Sequence, residues 1–492
     1  MNFDQPSQVF WGGSWHDAKN GQTFEVFNPA SGEVCAKVAD ASLEDVKSAI
    51  SSACVASKPW ADLSHSKRAA FLLKAADIME ERQQEFVNAL VEEGGSWIGK
   101  AMFETGYSIE ALRAAAAMVF HMNGEVLPSE YGKVSMAVRQ PLGVVSVISP
   151  WNFPLLLSVR GFAVAMAIGN TIVLKPSEET PLGGGLLLAE VFEAAGLPEG
   201  VFNVVTCSRA AIMGLGDELI INPAVRGISF TGSTAVGRHI AKLAGSLLKE
   251  ACVELGGKDA LIVLDDADMS RAVNAATFGA FMHQGQICMS VERIIVHQAV
   301  AEEFTRRLVA NVKTLCMGEP SSMANVIGPL INEKQLQNVH EQVIDAVEKG
   351  AELLTGGNFE DLFYEPTVLS GVNQDMKIFR EETFGPVAAV ITVADMEEAI
   401  AVANDSEYGL SAGIITRNEQ RGMEVARRLE TGMAHINDSS VNYEANAPFG
   451  GVKNSGLGRQ NGKASVEAFS ELRWITLERG GRQYPPPFNE KV

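Results

Sequence analysis

Three short motifs contain the residues that could do nucleophilic chemistry. Cys288 follows a glycine-flanked turn, where helix-terminal amides would lower the pKa of its thiol and make it reactive. Glu254 precedes two glycines, and burial of such a carboxylate in a cleft would raise its pKa toward that of a general base. Asn152 stands where an apolar strand opens into a helix, so its side-chain amide could donate to an oxyanion. Taken one at a time, these residues could equally be a buried thiol, a surface glutamate and a helix cap.

Two further turns have the residue types that bind a nucleotide cofactor. In the run FTGSTAVG at 230–237, Gly232 and Ser233 follow a strand and open a helix, where a pyrophosphate could reach the N-terminal amides. The run departs from both GxGxxG and the Walker A pattern, so a standard dinucleotide fingerprint is absent. In KPSE at 175–178, Lys175 and Glu178 follow another strand and could hydrogen-bond to ribose hydroxyls.

Composition excludes several classes of function. The 492 residues include 40 basic and 60 acidic side chains, and a net charge of −20 disfavours nucleic acids and anionic membranes as partners. The six cysteines form no CxxC pair, so we expect no metal site and reduced thiols. The N-terminus lacks a signal-peptide pattern, which favours a cytoplasmic location. Because an arginine and glycines interrupt the apolar window at 155–174, we expect a buried helix and strand there, not a membrane span.

Apolar periodicity predicts helices first and an α/β alternation afterwards. Helical spacing occurs at Leu43–Ala56, Ser66–Glu93 and Ser108–His121. After Gly143, strands that are apolar throughout alternate with helical stretches, which indicates two α/β domains with parallel sheets covered on both faces. The expected strands are Val144–Ile148, Thr171–Leu174, Val201–Val205, Gly227–Phe230, Ala260–Leu264, Arg293–His297, Ala388–Val393, Ala412–Thr416 and His435–Asn437. The expected helices between the early strands are Phe153–Ile168, Gly183–Ala195, Ile212–Leu219 and Val236–Leu248.

Taken together, the motifs resemble those of the aldehyde dehydrogenase superfamily in order and separation, over nearly the whole chain. They are PWNFP at 150–154, KPSE at 175–178, FTGSTAVG at 230–237, ELGGK at 254–258, GQIC at 285–288, EETFGP at 381–386 and PFGGVKNSGLGR at 448–459. The resemblance implies that Cys288 is the nucleophile and Glu254 the general base, with Asn152 and the Cys288 main-chain N–H as oxyanion donors. It also implies a set of cofactor-binding residues: Trp151, Lys175, Ser177, Glu178, Gly232, Ser233, Leu255, Glu382 and Phe384.

The same resemblance implies a fold and a reaction. The fold is α/β, with two doubly wound parallel-sheet domains, for the cofactor and for catalysis, plus a small β oligomerisation arm. The cofactor domain would span residues 1–122 and 142–253, the catalytic domain 254–455, and the arm 123–141 and 456–492, in a homodimer or homotetramer. Periodicity alone leaves the extended segments Gly132–Pro141 and Ser470–Leu477 as either surface strands or inter-subunit strands, and the resemblance favours the latter. The Cys288 thiohemiacetal would lose a hydride to the cofactor, and the thioester would be hydrolysed by water because Glu254 is retained.

Cofactor and substrate preferences follow from particular residues of this chain. A carboxylate at Glu178, near the ribose 2′-oxygen, repels a 2′-phosphate, so we expect NAD, with NADP less favoured. Many members of the family have a lysine where this chain has Gly161; with Arg160 and Met289, the run resembles the branch that oxidises aromatic aldehydes such as benzaldehyde, vanillin or salicylaldehyde. The expected substrate-binding residues are Arg160, which could meet a ring hydroxyl, together with Trp97, Phe103, Phe153, Met289 and Tyr443.

Three alternatives stay open at this point. The substrate could be an aliphatic aldehyde or a semialdehyde. The chain could instead be a cysteine hydrolase in which His283 or His297 activates Cys288, although this would leave the cofactor motifs without a purpose. It could also keep the fold without the activity, which the presence of Cys288, Glu254 and Asn152 argues against.

Overall fold

A computed structural model describes residues 8–129, 132–479 and 481–488 of the chain. Its strands, in chain order, are β1 (Val9–Trp11), β2 (Ser14–His16), β3 (Thr23–Phe27), β4 (Val34–Ala39), β5 (Glu125–Leu127), β6 (Lys133–Pro141), β7 (Val144–Ile148), β8 (Thr171–Lys175), β9 (Phe202–Val204), β10 (Val225–Thr231), β11 (Glu250–Glu254), β12 (Asp259–Val263), β13 (Val291–His297), β14 (Glu352–Thr355), β15 (Phe359–Glu360), β16 (Phe363–Tyr364), β17 (Thr367–Ser370), β18 (Val387–Val393), β19 (Ala412–Ile415), β20 (His435–Ile436), β21 (Gly456–Leu457) and β22 (Ser470–Glu478). Its α-helices are α1 (Leu43–Ala61), α2 (His65–Glu81), α3 (Gln83–Gly94), α4 (Ile98–Ala117), α5 (Pro154–Ala167), α6 (Leu187–Ala195), α7 (Ile212–Ile221), α8 (Thr234–Ser246), α9 (Met269–Phe281), α10 (Gln298–Val312), α11 (Glu333–Glu348), α12 (Lys377–Arg380), α13 (Met396–Asn404), α14 (Glu419–Arg428) and α15 (Gly462–Ala468).

The N-terminal helices differ in their limits from the sequence expectation. α1 begins as expected, because Ser42 and Asp45 form a reciprocal capping box, but it continues five residues further, to Ala61. The single helical pattern at 66–93 is divided at Arg82, which leaves the helical region and ends α2 before α3 begins. α4 begins at Ile98, ten residues before the expected Ser108, and is therefore longer than predicted.

The first sheet has the strand order β2-β1-β9-β8-β7-β10-β11-β21. Its five central strands, from β9 to β11, are parallel, and the antiparallel β1 and β21 flank them. The carboxyl ends of β7, β8, β10 and β11 therefore meet at one edge, where open α/β sheets bind ligands. β11, which ends at Glu254, has no counterpart among the predicted strands because glutamates at both of its ends interrupt the apolar run.

The second sheet has the order β14-β17-β18-β13-β12-β19-β20 and is parallel except for β14. Successive residues of β12 contact different cores: Ala260 and Ile262 face one hydrophobic cluster, while Leu261 and Val263 face the other. A strand that is buried on both sides explains the unbroken apolar run in the sequence. The expected α/β class with doubly wound parallel sheets is confirmed.

A third sheet stands apart from these two. β22 pairs antiparallel with β6 from Ser470–Pro141 to Glu478–Lys133, and β5 pairs with the other edge of β6. Both faces of β22 are exposed, so no core lies beneath it. The large exposed apolar side chains of this sheet are Val126, Val138, Leu472, Trp474, Ile475 and Leu477.

The apolar window at 155–174 forms the buried helix α5 followed by the buried strand β8, as expected. Throughout the described ranges, no helix combines the length and the apolar character needed to cross a bilayer.

Candidate active site

Cys288 lies in the loop between α9 and β13, after a 3-10 turn at Met282–Gly285. It is half-buried. Burial raises the pKa of its thiol well above the ordinary value, and the nearby Glu254 carboxylate raises it further. The expectation that helix-terminal amides lower this pKa is therefore wrong: the residue follows the end of a short turn and does not begin a helix.

Glu254 is the last residue of β11 and is almost fully buried. Burial raises the pKa of its carboxyl, as the sequence predicted; Arg160 and the Cys288 thiol partly offset this effect. The Oε2 atom of Glu254 lies 2.9 Å from Nη2 of Arg160, whereas Oε1 has no aligned hydrogen-bond partner within the described chain. The carboxyl group and the thiol are thus close enough for each to change the pKa of the other.

Asn152 follows β7 and is buried beside the nucleophile loop. Its side-chain Nδ2 donates to the carbonyl oxygen of Gln286 over 2.9 Å. One amide hydrogen is thereby used to hold the side chain, and an amide nitrogen carries a second hydrogen for an oxyanion. Asn152 and Cys288 line the same cavity.

A buried ion pair from α4, the α4 clamp, holds the main chain at Asn152 and in the first residues of α5 that follow it. Its two members, Lys100 and Glu104, are one helical turn apart and fully buried, with 2.5 Å between Nζ and Oε2. Lys100 donates to the Asn152 carbonyl oxygen over 2.7 Å, and Glu104 Oε1 accepts from the main-chain N–H groups of Leu155 and Leu156 at 2.9 and 3.2 Å. α5 has no side-chain cap of its own, so Glu104 supplies one from another helix.

A cavity extends from Cys288 and is walled mainly by apolar side chains. Five of the six expected substrate residues line it: Phe103, Phe153, Arg160, Met289 and Tyr443. Eight further lining residues were not predicted as substrate contacts, although most lie within or beside the quoted motifs: Leu156, Leu157, Phe278, Met282, Ile287, Val441, Asn442 and Phe449.

Trp97 is the sixth expected substrate residue, and the structure places it outside this cavity. It immediately precedes α4, its indole lies over Gly99, and its Nε1 donates to the carbonyl oxygen of Met323 over 3.2 Å. The prediction of Trp97 as a cavity residue is therefore wrong. An apolar ring near the start of a helix gives no sign in sequence of the direction in which it will pack.

Arg160 lies inside α5 with its guanidinium buried between two partners. One is Glu254, and the other is the ring of Phe449, whose centroid is 4.0 Å from the guanidinium carbon. The Nε of Arg160 is buried without a hydrogen-bond partner in the described residues, and the hydroxyl of Tyr443 has no aligned partner there, although the Asn461 side chain interacts with it. Two polar atoms of a mainly apolar wall are thus without an aligned hydrogen bond.

The opposite side of the site has the residues expected to bind a cofactor. Lys175 Nζ lies 3.4 Å from Glu178 Oε2, and Arg209 Nε lies 3.2 Å from Glu178 Oε1. Burial opposes ionisation of Glu178, but Lys175 and Arg209 lower the pKa of its carboxyl below the ordinary value. Ser177 is buried in the same turn. A carboxylate that remains ionised suits an acceptor for ribose hydroxyls.

The turn between β10 and α8 leaves a helix N-terminus free. Ser233 precedes α8 in extended conformation, is exposed, and makes no capping hydrogen bond with its side chain. The main-chain N–H of Gly232 donates to the Glu254 carbonyl oxygen, which ties this turn to β11. Leu255 packs so closely on Gly237 that a Cβ there would lie 2.1 Å from its side chain. Free N-terminal amides at a strand end are a site for a pyrophosphate.

Glu382 and Phe384 come from the second sheet and approach the two glycines after Glu254. Glu382 Oε1 accepts a hydrogen bond from the Gly257 N–H over 2.9 Å. The Phe384 and Trp151 rings pack edge-on, with their centroids 5.4 Å apart. A Cβ on Gly256 would lie 2.4 Å from the Glu382 carboxylate, and one on Gly257 would lie 2.4 Å from the Cys288 carbonyl oxygen. Only glycine permits these approaches. Burial, with Glu292 adding to it, raises the pKa of Glu382 to about 8.

A second buried ion pair, the β13 clamp, consists of Lys258 and Glu292 and holds the turn that contains Glu382 and Phe384. Its Nζ and Oε2 atoms are 2.6 Å apart. Glu292 accepts from the main-chain N–H groups of Thr383 and Phe384, both at 2.8 Å, and Lys258 donates to Thr383 Oγ1 at 2.9 Å. The turn is thereby fixed although Phe384 has a φ of +53°.

The hydrolase alternative requires His283 or His297 to activate Cys288, and the two histidines have other surroundings. His283 is buried, and burial together with Lys100 lowers its pKa well below the ordinary value. Its ring packs against Phe153, and neither ring nitrogen makes an aligned hydrogen bond in the described part of the chain, although the Asn152 main chain interacts with the ring. His297 caps α10, with Nδ1 accepting from the Ala299 N–H. Neither histidine is hydrogen-bonded to Cys288, so this geometry does not support His283 or His297 as the base of the hydrolase alternative.

Comparison with known proteins agrees with this geometry. The model of the aldehyde dehydrogenase family matches residues 15–475. The chain is 46% identical over 477 residues to a vanillin dehydrogenase of Pseudomonas fluorescens, covering 96% of this chain and 98% of the relative. It is 42% identical over 474 residues to an NAD(+) benzaldehyde dehydrogenase of Pseudomonas putida, covering 96% of each. The crystal structure of a salicylaldehyde dehydrogenase from Pseudomonas putida G7, complexed with salicylaldehyde, superimposes with a TM-score of 0.96 at 40% identity over 98% of this chain and 100% of that one. This chain belongs to the aldehyde dehydrogenase family and oxidises an aldehyde with NAD(P).

Proposed function

We propose that this chain oxidises an aromatic aldehyde to its carboxylic acid, with NAD as the preferred cofactor. The cavity that ends at Cys288 carries the proposal, because its wall contains the rings of Phe103, Phe153, Phe449 and Tyr443. Rings in edge or offset contact stabilise a flat aromatic substrate beyond simple burial of apolar area. The names of the relatives, which are vanillin, benzaldehyde and salicylaldehyde dehydrogenases, support the same substrate class.

A hydroxyl substituent on the substrate ring could hydrogen-bond to polar atoms in the cavity wall. The Nε of Arg160 and the hydroxyl of Tyr443 are buried and make no aligned hydrogen bond to the described residues, and both residues line the cavity. Burying an unpaired polar group is costly, so a ring hydroxyl that pairs with either atom would gain binding energy. We therefore expect hydroxylated benzaldehydes to bind more tightly than benzaldehyde itself.

The reaction uses the thiol, the carboxylate and two amides. Glu254 accepts the proton of Cys288, and the thiolate attacks the aldehyde carbonyl carbon to give a thiohemiacetal. The Asn152 amide and the Cys288 main-chain N–H donate to the oxyanion. When bound, the dinucleotide would supply the hydride acceptor that converts this adduct into a thioester of Cys288. Glu254, after it has released the thiol proton to solvent, takes a proton from water as the water oxygen attacks the thioester, which releases the carboxylic acid and the thiolate.

We expect the dinucleotide to bind at the carboxyl ends of the first sheet, facing the turn that precedes β18 of the second sheet. Lys175, Ser177 and Glu178 would bind the adenosine ribose, and Gly232 and Ser233 the pyrophosphate; Trp151, Leu255, Glu382 and Phe384 would bind the nicotinamide half. An ionised Glu178 supports NAD over NADP because it would repel a 2′-phosphate.

The assembly is also part of the proposal. Apolar side chains on both faces of β22 support the inter-subunit interpretation of this arm, because such a surface is buried by a second copy in stable oligomers. A homodimer or homotetramer is expected, and light scattering would give its mass. The cytoplasmic location and the domain limits remain predictions from the sequence.

Initial rates across a panel of aldehydes test the function. The panel is benzaldehyde, hydroxylated benzaldehydes, short aliphatic aldehydes and succinate semialdehyde, each with NAD and with NADP. We expect the highest kcat/KM for the hydroxylated benzaldehydes with NAD. Cys288→Ala should abolish oxidation and leave NAD binding intact, since the thiol is needed only for chemistry. Higher kcat/KM for the aliphatic or semialdehyde substrates would contradict the aromatic assignment, and oxidation by Cys288→Ala would contradict the mechanism.

A further inference from the structure

We propose that Arg160 is a positioning residue for Glu254, whose guanidinium fixes the carboxylate beside Cys288 in its proton-accepting state. This inference rests on the proposed function, in which Glu254 is the base for both the thiol and the water. It gives Arg160 a second role besides contact with the substrate ring.

The pair is rigid and enclosed. The Arg160 and Glu254 side chains are 1% and 2% exposed, and Nη2 and Oε2 are 2.9 Å apart. Arg160 extends from the middle of the buried helix α5, and the Phe449 ring covers its guanidinium. Glu254 is fixed by pairing of β11 with β10 on one side and β21 on the other. Both side chains are thus shielded from bulk solvent.

The pairing leaves one carboxylate oxygen free. Arg160 occupies Oε2, whereas Oε1 accepts no aligned hydrogen bond from the described residues. A general base needs such an open lone pair directed at its substrate. The Cys288 thiol already interacts with this carboxyl group. The structure therefore separates the two oxygens into one that is held and one that is available for the proton.

Arg160 also supplies the positive charge that a buried base requires. The other titratable groups that interact with Glu254 are Cys288, Cys252 and Glu382, all of which are acids. A buried carboxyl without a cation takes up a proton, because low dielectric disfavours the charged form. Protonated Glu254 would accept a proton neither from the thiol nor from water. Loss of Arg160 should therefore raise the pKa of Glu254 and confine activity to higher pH.

The pH dependence of kcat for Arg160→Met, measured with benzaldehyde and saturating NAD, tests this role. Benzaldehyde has no ring hydroxyl, so a lost contact between Arg160 and such a hydroxyl does not affect the result. The acidic limb of the profile should move up by about 1–3 pH units, the usual effect of an adjacent opposite charge. Arg160→Lys keeps a cation and should show a smaller shift. A kcat that falls equally at all pH values would overturn the inference.

A second comparison uses Glu254→Gln and the double variant Arg160→Met/Glu254→Gln. The double variant contains no unpaired buried charge, so it remains informative if Arg160→Met fails to fold. Because Arg160 acts through Glu254, the double variant should have the same residual kcat as Glu254→Gln. A further tenfold loss would show that Arg160 acts by another route and would overturn the inference. Failure of the wild-type chain to oxidise benzaldehyde would instead contradict the proposed function.

Discussion

The α4 clamp and the β13 clamp are two buried Lys–Glu pairs that perform the same task on opposite sides of the site. In each pair, the carboxylate accepts hydrogen bonds from two main-chain N–H groups of a turn, and the ammonium donates a hydrogen bond to an oxygen of that turn. The first holds the turn of Asn152 on the substrate side, and the second holds Glu382 and Phe384 on the cofactor side. A charged pair in the core thus orients polar groups that reach the substrates.

The two clamps differ in how much support their turns receive from elsewhere. Three side chains of α11 also hold the cofactor turn: Gln335 and Asn338 donate to the Thr383 carbonyl oxygen, and Gln342 donates to that of Glu382. The Asn152 turn has its side-chain bond to Gln286 and an interaction of its main chain with His283, and its shortest main-chain hydrogen bond comes from Lys100 of the α4 clamp. Two ion pairs of the same kind can therefore differ in how much activity is lost when one is removed. The loss is smaller where other hydrogen bonds still hold the turn.

Lys100→Met should have the largest effect, because it leaves the Asn152 carbonyl without its donor and Glu104 as an unpaired buried carboxylate. We expect a lower Tm and a kcat about 100-fold below wild type, the loss that a displacement of about 1 Å can cause. Thermal unfolding and steady-state rates measure the two effects. In the control Lys100→Met/Glu104→Gln, the amide oxygen can still cap α5, so Tm should recover while kcat stays low. Full recovery of kcat would show that the clamp only stabilises the fold.

Lys258→Met should have a smaller effect than Lys100→Met, and it should change KM for NAD more than kcat. The cofactor turn keeps Glu292 and the α11 side chains, so we expect KM for NAD to rise about tenfold, the effect of losing one charged hydrogen bond. kcat should change less than in Lys100→Met. Titration of NAD at a fixed benzaldehyde concentration gives both constants. A loss of kcat equal to that of Lys100→Met would remove the proposed difference between the clamps.

Gln335→Ala should have the smallest effect. Its side chain donates to the carbonyl oxygens of Thr383 and Phe384 at 3.0 and 2.9 Å, and loss of neutral hydrogen bonds costs about 1 kcal/mol net. KM for NAD should rise roughly fivefold. Asn338→Ala, which removes one hydrogen bond from the same turn, serves as the matched variant and should raise KM less. No change in either variant would show that α11 gives the turn no useful support.

The sequence predicted the parts of the molecule that depend on local pattern. Strands buried on both faces have unbroken apolar runs, and β7, β8 and β12 were found on this basis. Cys288, Glu254 and Asn152 were chosen because motifs at fixed separations resembled those of a family; in the structure Cys288 and Asn152 line one cavity, and the Glu254 carboxyl interacts with the Cys288 thiol. The raised pKa of Glu254 was also predicted, because burial acts on any carboxyl group in the same direction.

The features that the sequence did not predict depend on packing between residues that are far apart along the chain. Lys100 and Glu104 have the i, i+4 spacing of an ordinary solvated helix pair, and nothing in that spacing indicates complete burial. The partner of Arg160 is 94 residues away, so the ion pair with Glu254 was not predicted. The pKa of Cys288 was predicted in the wrong direction for the same reason, since the burial and the carboxylate that raise it come from other parts of the fold.

The close approaches at Gly256 and Gly257 determine where the enzyme could be redesigned. At these glycines the strand of the base, the nucleophile loop and the cofactor turn are in direct contact, so even an added methyl group would disturb two functions together. The apolar part of the cavity wall that includes Leu156, Leu157 and Val441 consists of side chains and can change in volume one residue at a time. Substitutions in that wall can therefore change which aldehydes bind, while the residues that carry out the reaction stay unchanged.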